Sequence, residues 1–151
     1  IVMVRATAWW HRAFAAGGLY VYKRQLLEQA EPDAYDPRYK KWSRETLPII
    51  PVEWKLIPKS KTRKQLAVLK KWIKQADQLI HAGDPDREGQ LLVDEVISYA
   101  GVSAAKRASV KRCLISDLNR PAVQKSLTQL RENKDFVPLS VSALARSCSD
   151  W

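Results

Sequence analysis

Gly83-Asp84-Pro85-Asp86-Arg87-Glu88-Gly89-Gln90 (GDPDREGQ) is the stretch of this chain whose reading decides the fold. It follows residues 78–82 (QLIHA), a short apolar run that reads as a buried strand, and precedes an amphipathic pattern predicting a helix from about Glu88 to Tyr99. In open parallel sheets, ligands bind at the carboxyl ends of strands. Asp84 and Asp86 are two positions apart, so in an extended turn both carboxylates can project the same way. Pro85 fixes φ between them. Two convergent carboxylates suit a hard cation such as Mg²⁺, which typically takes one or two carboxylates plus water and phosphate oxygens. Glu88, in the first helical turn, is favoured by the helix dipole and can add a ligand or move a proton.

Three rival readings use the same residues. Asp84 can be a plain helix cap among solvated neighbours, but charged or kinking residues fill five of the six positions from Asp84 to Gly89. The stretch also satisfies a calcium-loop pattern, with Asp84 first and Glu95 twelfth. A continuous helix from Glu88 onward puts Glu95 two turns away and argues against that loop. Phosphatases with an aspartyl nucleophile carry Asp-x-Asp after a strand, usually followed by a small Thr or Val; here Arg87-Glu88 follows.

Outward from the turn, residues 52–57 (VEWKLI) alternate as a short strand, and Ser60 offers a helix cap. Leu66, Leu69, Trp72, Ile73 and Ala76 then recur at helical spacing, with lysines on the opposite face. Gly101 suits a left-handed helix end. Residues 110–115 (VKRCLI) form the next strand candidate, and Asn119 with Pro121 starts a helix to about Arg131. Pro138 opens a last helix. Residues 26–51, rich in Pro, Asp, Tyr and Arg, read as an ordered connection. The alternation of strands and helices predicts an α/β layer around a parallel sheet.

The net charge of +10 sits in one place. Residues 38–74 carry twelve Lys/Arg, among them Lys59, Lys61, Arg63 and Lys64, against only Glu45 and Glu53; the remainder is neutral. Interleaved with Trp42, Trp54 and Trp72, this segment fits a surface tracking a phosphate backbone, or a solvated basic face over core tryptophans. No apolar run approaches a membrane span and no signal peptide is visible. Cys113 and Cys148 form no CxxC pair, which points to a reducing cytoplasm.

With those residues in view, DPDREG resembles the acidic motif of the Toprim domain of type IA topoisomerases. Residues 26–35 (LLEQAEPDAY), 81–95 (HAGDPDREGQLLVDE), 113–119 (CLISDLN) and 136–146 (FVPLSVSALAR) are similar to the bacterial topoisomerase III branch of that family. Asp-x-Asp alone also fits primases and some nucleases of the same fold. The resemblance implies a Rossmann-like α/β fold and a Mg²⁺ site of Asp84, Asp86 and Glu88 beside DNA, which is expected to be single-stranded. It implies that Arg87 either neutralises a phosphate or pairs with Glu88. Such enzymes cut one strand by tyrosine attack, pass another through the gap and reseal, without ATP. A cytoplasmic, nucleoid-associated bacterial protein is expected.

The sequence departs from the pattern at two places. The family's first strand ends in Glu-Lys-Pro, and nothing like it occurs in residues 1–25. None of Tyr20, Tyr22, Tyr35, Tyr39 or Tyr99 sits in a context matching the strand-cutting tyrosine. Residues 21–25 (VYKRQ) match the translation of a transposon end used in shotgun libraries. The expected organisation is therefore a non-homologous leader over residues 1–25, a partial Toprim domain over 26–137 without its native first strand, and the start of a helical domain over 138–151. The chain by itself is expected not to cleave DNA.

Overall fold

In the computed structural model, residues 2–5, 25–41, 43–117 and 119–150 are described. Strand β1 (Val2–Arg5) is followed by β2 (Leu27–Gln29) and β3 (Leu56–Pro58), then helix α1 (Arg63–Gln75), β4 (Gln78–His81) and α2 (Arg87–Tyr99). The short helix α3 (Ala104–Ala108), β5 (Lys111–Arg112), α4 (Arg120–Thr128), β6 (Arg131–Glu132) and α5 (Val137–Ser149) complete the order. The main sheet runs β1-β4-β5-β6, and β2 pairs with β3 in a separate antiparallel ribbon.

The expectation of a parallel sheet needs correction. Among the described residues, only β4 and β5 run parallel; β1 lies antiparallel to β4, and β6 antiparallel to β5. Within the segment expected to be a non-homologous leader, Val2–Arg5 pairs along the whole of β4. The rest of the expected leader up to Arg24 lies outside the described residues, as does Trp42.

Helices cover both faces of β4 because its side chains alternate. Leu79 joins a core with Leu66, Leu69 and Ile73 of α1, and Val93, Val96 and Ile97 of α2. Ile80, next in the strand, belongs to a second core with Ala82 and Cys113, against which Leu127 of α4 and Leu130 pack. This is the layered α/β arrangement expected. Of the α1 stripe, Leu66, Leu69, Ile73 and Ala76 are buried, whereas Trp72 stays 45% exposed.

Helix ends follow their local chemistry. Asn119 caps α4 by accepting the Ala122 N–H at 2.8 Å, with Pro121 in the first turn. Gly101, at φ +70°, ends α2 in the left-handed region. Of residues 52–57, only Leu56 and Ile57 enter a strand, and α4 stops at Thr128 so that Arg131–Glu132 can pair with β5. Helix α5 lies along α2 and presents the small buried residues Ser140 and Ala143. Among the described residues, no helix is long and apolar enough to cross a membrane.

Candidate metal centre

The acidic turn leaves the carboxyl end of β4 and enters α2 within a few residues. Two glycines permit that geometry. A Cβ on Gly89 would come within 2.7 Å of the Asp84 N, O and Cβ atoms, and one on Gly83 would meet the Gly89 carbonyl oxygen. The first turn of α2 therefore rests directly on the backbone carrying Asp84. His81, fully buried, fixes the same corner: its Nδ1 accepts the Gly83 N–H at 3.2 Å, and its Nε2 lies 3.1 Å from the Gln90 carbonyl.

Asp86 is the N-cap of α2, accepting the Gly89 N–H at 2.6 Å. Asp84 is half-buried, and burial together with the neighbouring Asp86 charge pushes its carboxyl above the ordinary value. Glu88 is exposed and differently engaged. Arg87 Nε donates to it at 3.0 Å, Arg146 of α5 lies 3.5 Å away, and the Arg87 hydrogen bond is the main cause holding its carboxyl below the usual range. Arg87 is paired with Glu88 in this structure.

Among the described residues, no group of three His, Cys, Asp or Glu is placed to hold a metal ion. The three-carboxylate set is therefore not gathered here, and Glu88 stands with the arginines. The donor chemistry of Asp84 and Asp86 still fits Mg²⁺, since one or two carboxylates are its usual protein complement, the rest coming from water and phosphate oxygens. The calcium-loop alternative fails structurally, since α2 runs unbroken through Glu95.

Beneath the turn lies a polar layer that the sequence pattern did not reveal. Arg112 of β5 is 1% exposed and donates to carbonyls at the end of β4 and in the turn. Asp94 of α2 accepts from Gln90 Nε2 at 2.9 Å, from Asn133 Nδ2 at 3.0 Å and from Ser140 Oγ of α5. Gln90 also donates to Asn133 Oδ1 at 2.8 Å.

Of the basic candidates, Lys61, Arg63 and Lys64 are exposed where the chain enters α1. Lys59 is half-buried, bonded to Gln25 at 2.7 Å and 3.8 Å from Glu28. Trp54 stacks edge-on against Tyr35, with ring centroids 6.2 Å apart.

Residues 19–118, two-thirds of the chain, match the family described as the Toprim domain. The chain belongs to the Toprim family. Over 126 residues this Toprim chain is 62% identical to DNA topoisomerase 3 of Haemophilus influenzae, covering 83% of the chain and 19% of the relative. It is 62% identical over 126 residues to DNA topoisomerase 3 of Vibrio cholerae, covering 83% and 20%. The Bacillus subtilis DNA topoisomerase 3 is 35% identical over 128 residues, covering 83% and 17%. The chain spans about a fifth of the length of the curated relatives it matches.

Proposed function

We propose that this Toprim chain is the N-terminal, metal-holding segment of a bacterial type IA DNA topoisomerase of the topoisomerase III kind, acting on single-stranded DNA in the cytoplasm without ATP. The observation carrying this reading is the aspartate pair at the carboxyl end of β4, in a chain 62% identical to proteins named DNA topoisomerase 3. Asp84 and Asp86 would hold Mg²⁺, which supplies positive charge to position and screen a DNA phosphodiester. Glu88 completes the acidic cluster once it leaves Arg87 and Arg146. Those two arginines then become available to phosphate, and Lys61, Arg63 and Lys64 lend non-specific backbone attraction.

None of the five tyrosines sits in a context matching the strand-cutting tyrosine of such enzymes, which supports the reading that the chain alone binds without cutting. The test is Mg²⁺-dependent binding of a fluorescent single-stranded oligonucleotide, alongside denaturing gels for a covalent adduct. Expected are Mg²⁺-enhanced binding lost in D84N/D86N and no adduct. Binding indifferent to Mg²⁺ in the unsubstituted chain would refute the metal reading. It would favour a non-catalytic nucleic-acid-binding module, which the engagement of Glu88 by two arginines also supports. Another Toprim enzyme, a primase or nuclease, would instead show synthesis or cutting independent of a tyrosine.

A further inference from the structure

A buried guanidinium needs a reason, because arginine is almost never fully buried unless its donors are satisfied. Arg112 meets that requirement almost wholly with backbone carbonyls. Its Nη2 donates to Asp84 O at 2.7 Å, and its Nη1 lies 2.9 Å from both Gly83 O and Cys113 O and 3.3 Å from His81 O. Three of these four carbonyls belong to the strand end and turn that carry the acidic motif; the fourth, of Cys113, directly follows β5. The Phe136 ring covers the group, its centroid 5.8 Å from Cζ. Nε has no partner among the described residues.

We infer that Arg112 is the positioning residue of the acidic turn: its fork of backbone bonds fixes where Asp84 stands before any cation arrives. This rests on the metal site proposed above. The electrostatics separate position from charge. A cation behind a metal site repels the metal, so by charge alone Arg112 weakens Mg²⁺ binding. It can strengthen binding only by geometry, since a planar guanidinium reaches several carbonyls at once and an ammonium cannot.

The test measures Mn²⁺ affinity by paramagnetic broadening of the Gly83, Asp84 and Gly89 amide resonances, with Mg²⁺ competition. The chains compared are the unsubstituted one, R112K, R112Q and D84N/D86N. Arg112→Lys keeps the charge and loses the fork, and Arg112→Gln loses both. If position governs, both bind about 10- to 100-fold more weakly, the range found when groups supporting metal ligands are removed. Unchanged or tighter binding in Arg112→Gln, with amide shifts away from the turn preserved, overturns the positioning role and leaves the metal site standing. No Mn²⁺ effect in the unsubstituted chain removes the metal site and this inference with it. A measurement on the unsubstituted chain covers the case in which both variants fail to fold. Saturating Mg²⁺ is expected to shift the Arg112 guanidinium resonances together with the Asp84 and Asp86 carboxyl signals. Carboxyl shifts without a guanidinium response would also refute the role.

Discussion

The Nδ1 atom of His81 accepts the backbone N–H of Gly83 at 3.2 Å, which makes it the unprotonated ring nitrogen and leaves Nε2–H to donate to the Gln90 carbonyl. A protonated imidazole would lose the Gly83 bond and bring a second cation beside Arg112. Burial first, and the Arg112 charge second, accordingly lower its pKa from 6.5 to about 4. The folded chain takes up this proton only at lower pH than the unfolded one does. The stability contributed, on the order of 3 kcal/mol, is complete above pH 6.5 and lost as pH falls toward 4. Glu95 opposes it: burial raises its pKa from 4.5 to about 7, so its contribution is complete below pH 4.5 and lost as pH rises through 7. The unsubstituted chain should therefore show a nearly flat urea midpoint between pH 5 and 7. Glu95→Gln should expose a midpoint that climbs with pH across that window. A flat profile in Glu95→Gln would refute the neutral, buried assignment of His81.

Asp86 has a structural duty as well as a chemical one, and two substitutions separate them. Asparagine caps helices about as well as aspartate, so Asp86→Asn should leave thermal stability nearly unchanged while weakening Mg²⁺ binding. Asp86→Ala should cost about 1 kcal/mol more, because the Gly89 N–H at 2.6 Å loses its acceptor. Equal melting temperatures for the two variants would show that the cap contributes nothing.

Gly89 and Gly101 should respond to alanine for different reasons. At Gly89 the added carbon meets the Asp84 backbone at 2.7 Å, and backbone cannot swing aside as a side-chain end can. Gly89→Ala should cost about 1–3 kcal/mol and displace the acidic turn, weakening Mg²⁺ binding. At Gly101 nothing lies within 4 Å, so Gly101→Ala meets only the φ of +70°. It should cost about 1 kcal/mol with Mg²⁺ binding intact. Denaturant midpoints and ion titrations on both variants distinguish the two mechanisms.

What could be read from the chain divides by the range of the interactions involved. The α1 stripe, the Gly101 stop, the Asn119 cap and the strand–turn–helix around DPDREG all announce themselves within a few residues. Arg131–Glu132 does not, because a two-residue strand exists only through its pairing across the sheet. That pairing also turned the supposed end of α4 into β6. Arg112 was missed because an arginine in a strand candidate is ordinarily assigned to solvent. Its spacing of two from the buried Val110 was the available signal, and only the carbonyls of β4 and the turn make that burial tolerable. The acidic turn and the Arg87–Glu88 pairing were legible, but the second arginine beside Glu88, Arg146, lies fifty-eight positions away on a different helix.

Asp94 joins α2 to α5 through Ser140 and to the segment after β6 through Asn133. Asp94→Ala removes the acceptor for three buried or half-buried donors at once. Leaving such donors without partners should cost at least about 2 kcal/mol. The loss should be local: amide hydrogen exchange should quicken in Val137–Ser149 while Arg63–Gln75, held by the apolar core, keeps its protection. Equal acceleration in both helices would show that the network supports the whole fold and not the docking of α5.

The basic entry to α1 makes a prediction about salt. Lys61, Arg63 and Lys64 are exposed, and no acidic residue in the first turn of α1 offsets them. Positive side chains at a helix N-terminus are mildly unfavourable for the helix itself, which leaves them well suited to an external anion. If each meets one phosphate of a single strand, replacing all three with alanine should reduce the slope of log affinity against log salt by roughly 2. Lys59→Ala should change it less, since that ammonium is already bonded to Gln25 and near Glu28. Oligonucleotide anisotropy at several salt concentrations measures both slopes. An unchanged slope in the triple variant would remove this surface from the DNA path and leave Arg87 and Arg146, beside the acidic turn, as the cations to examine.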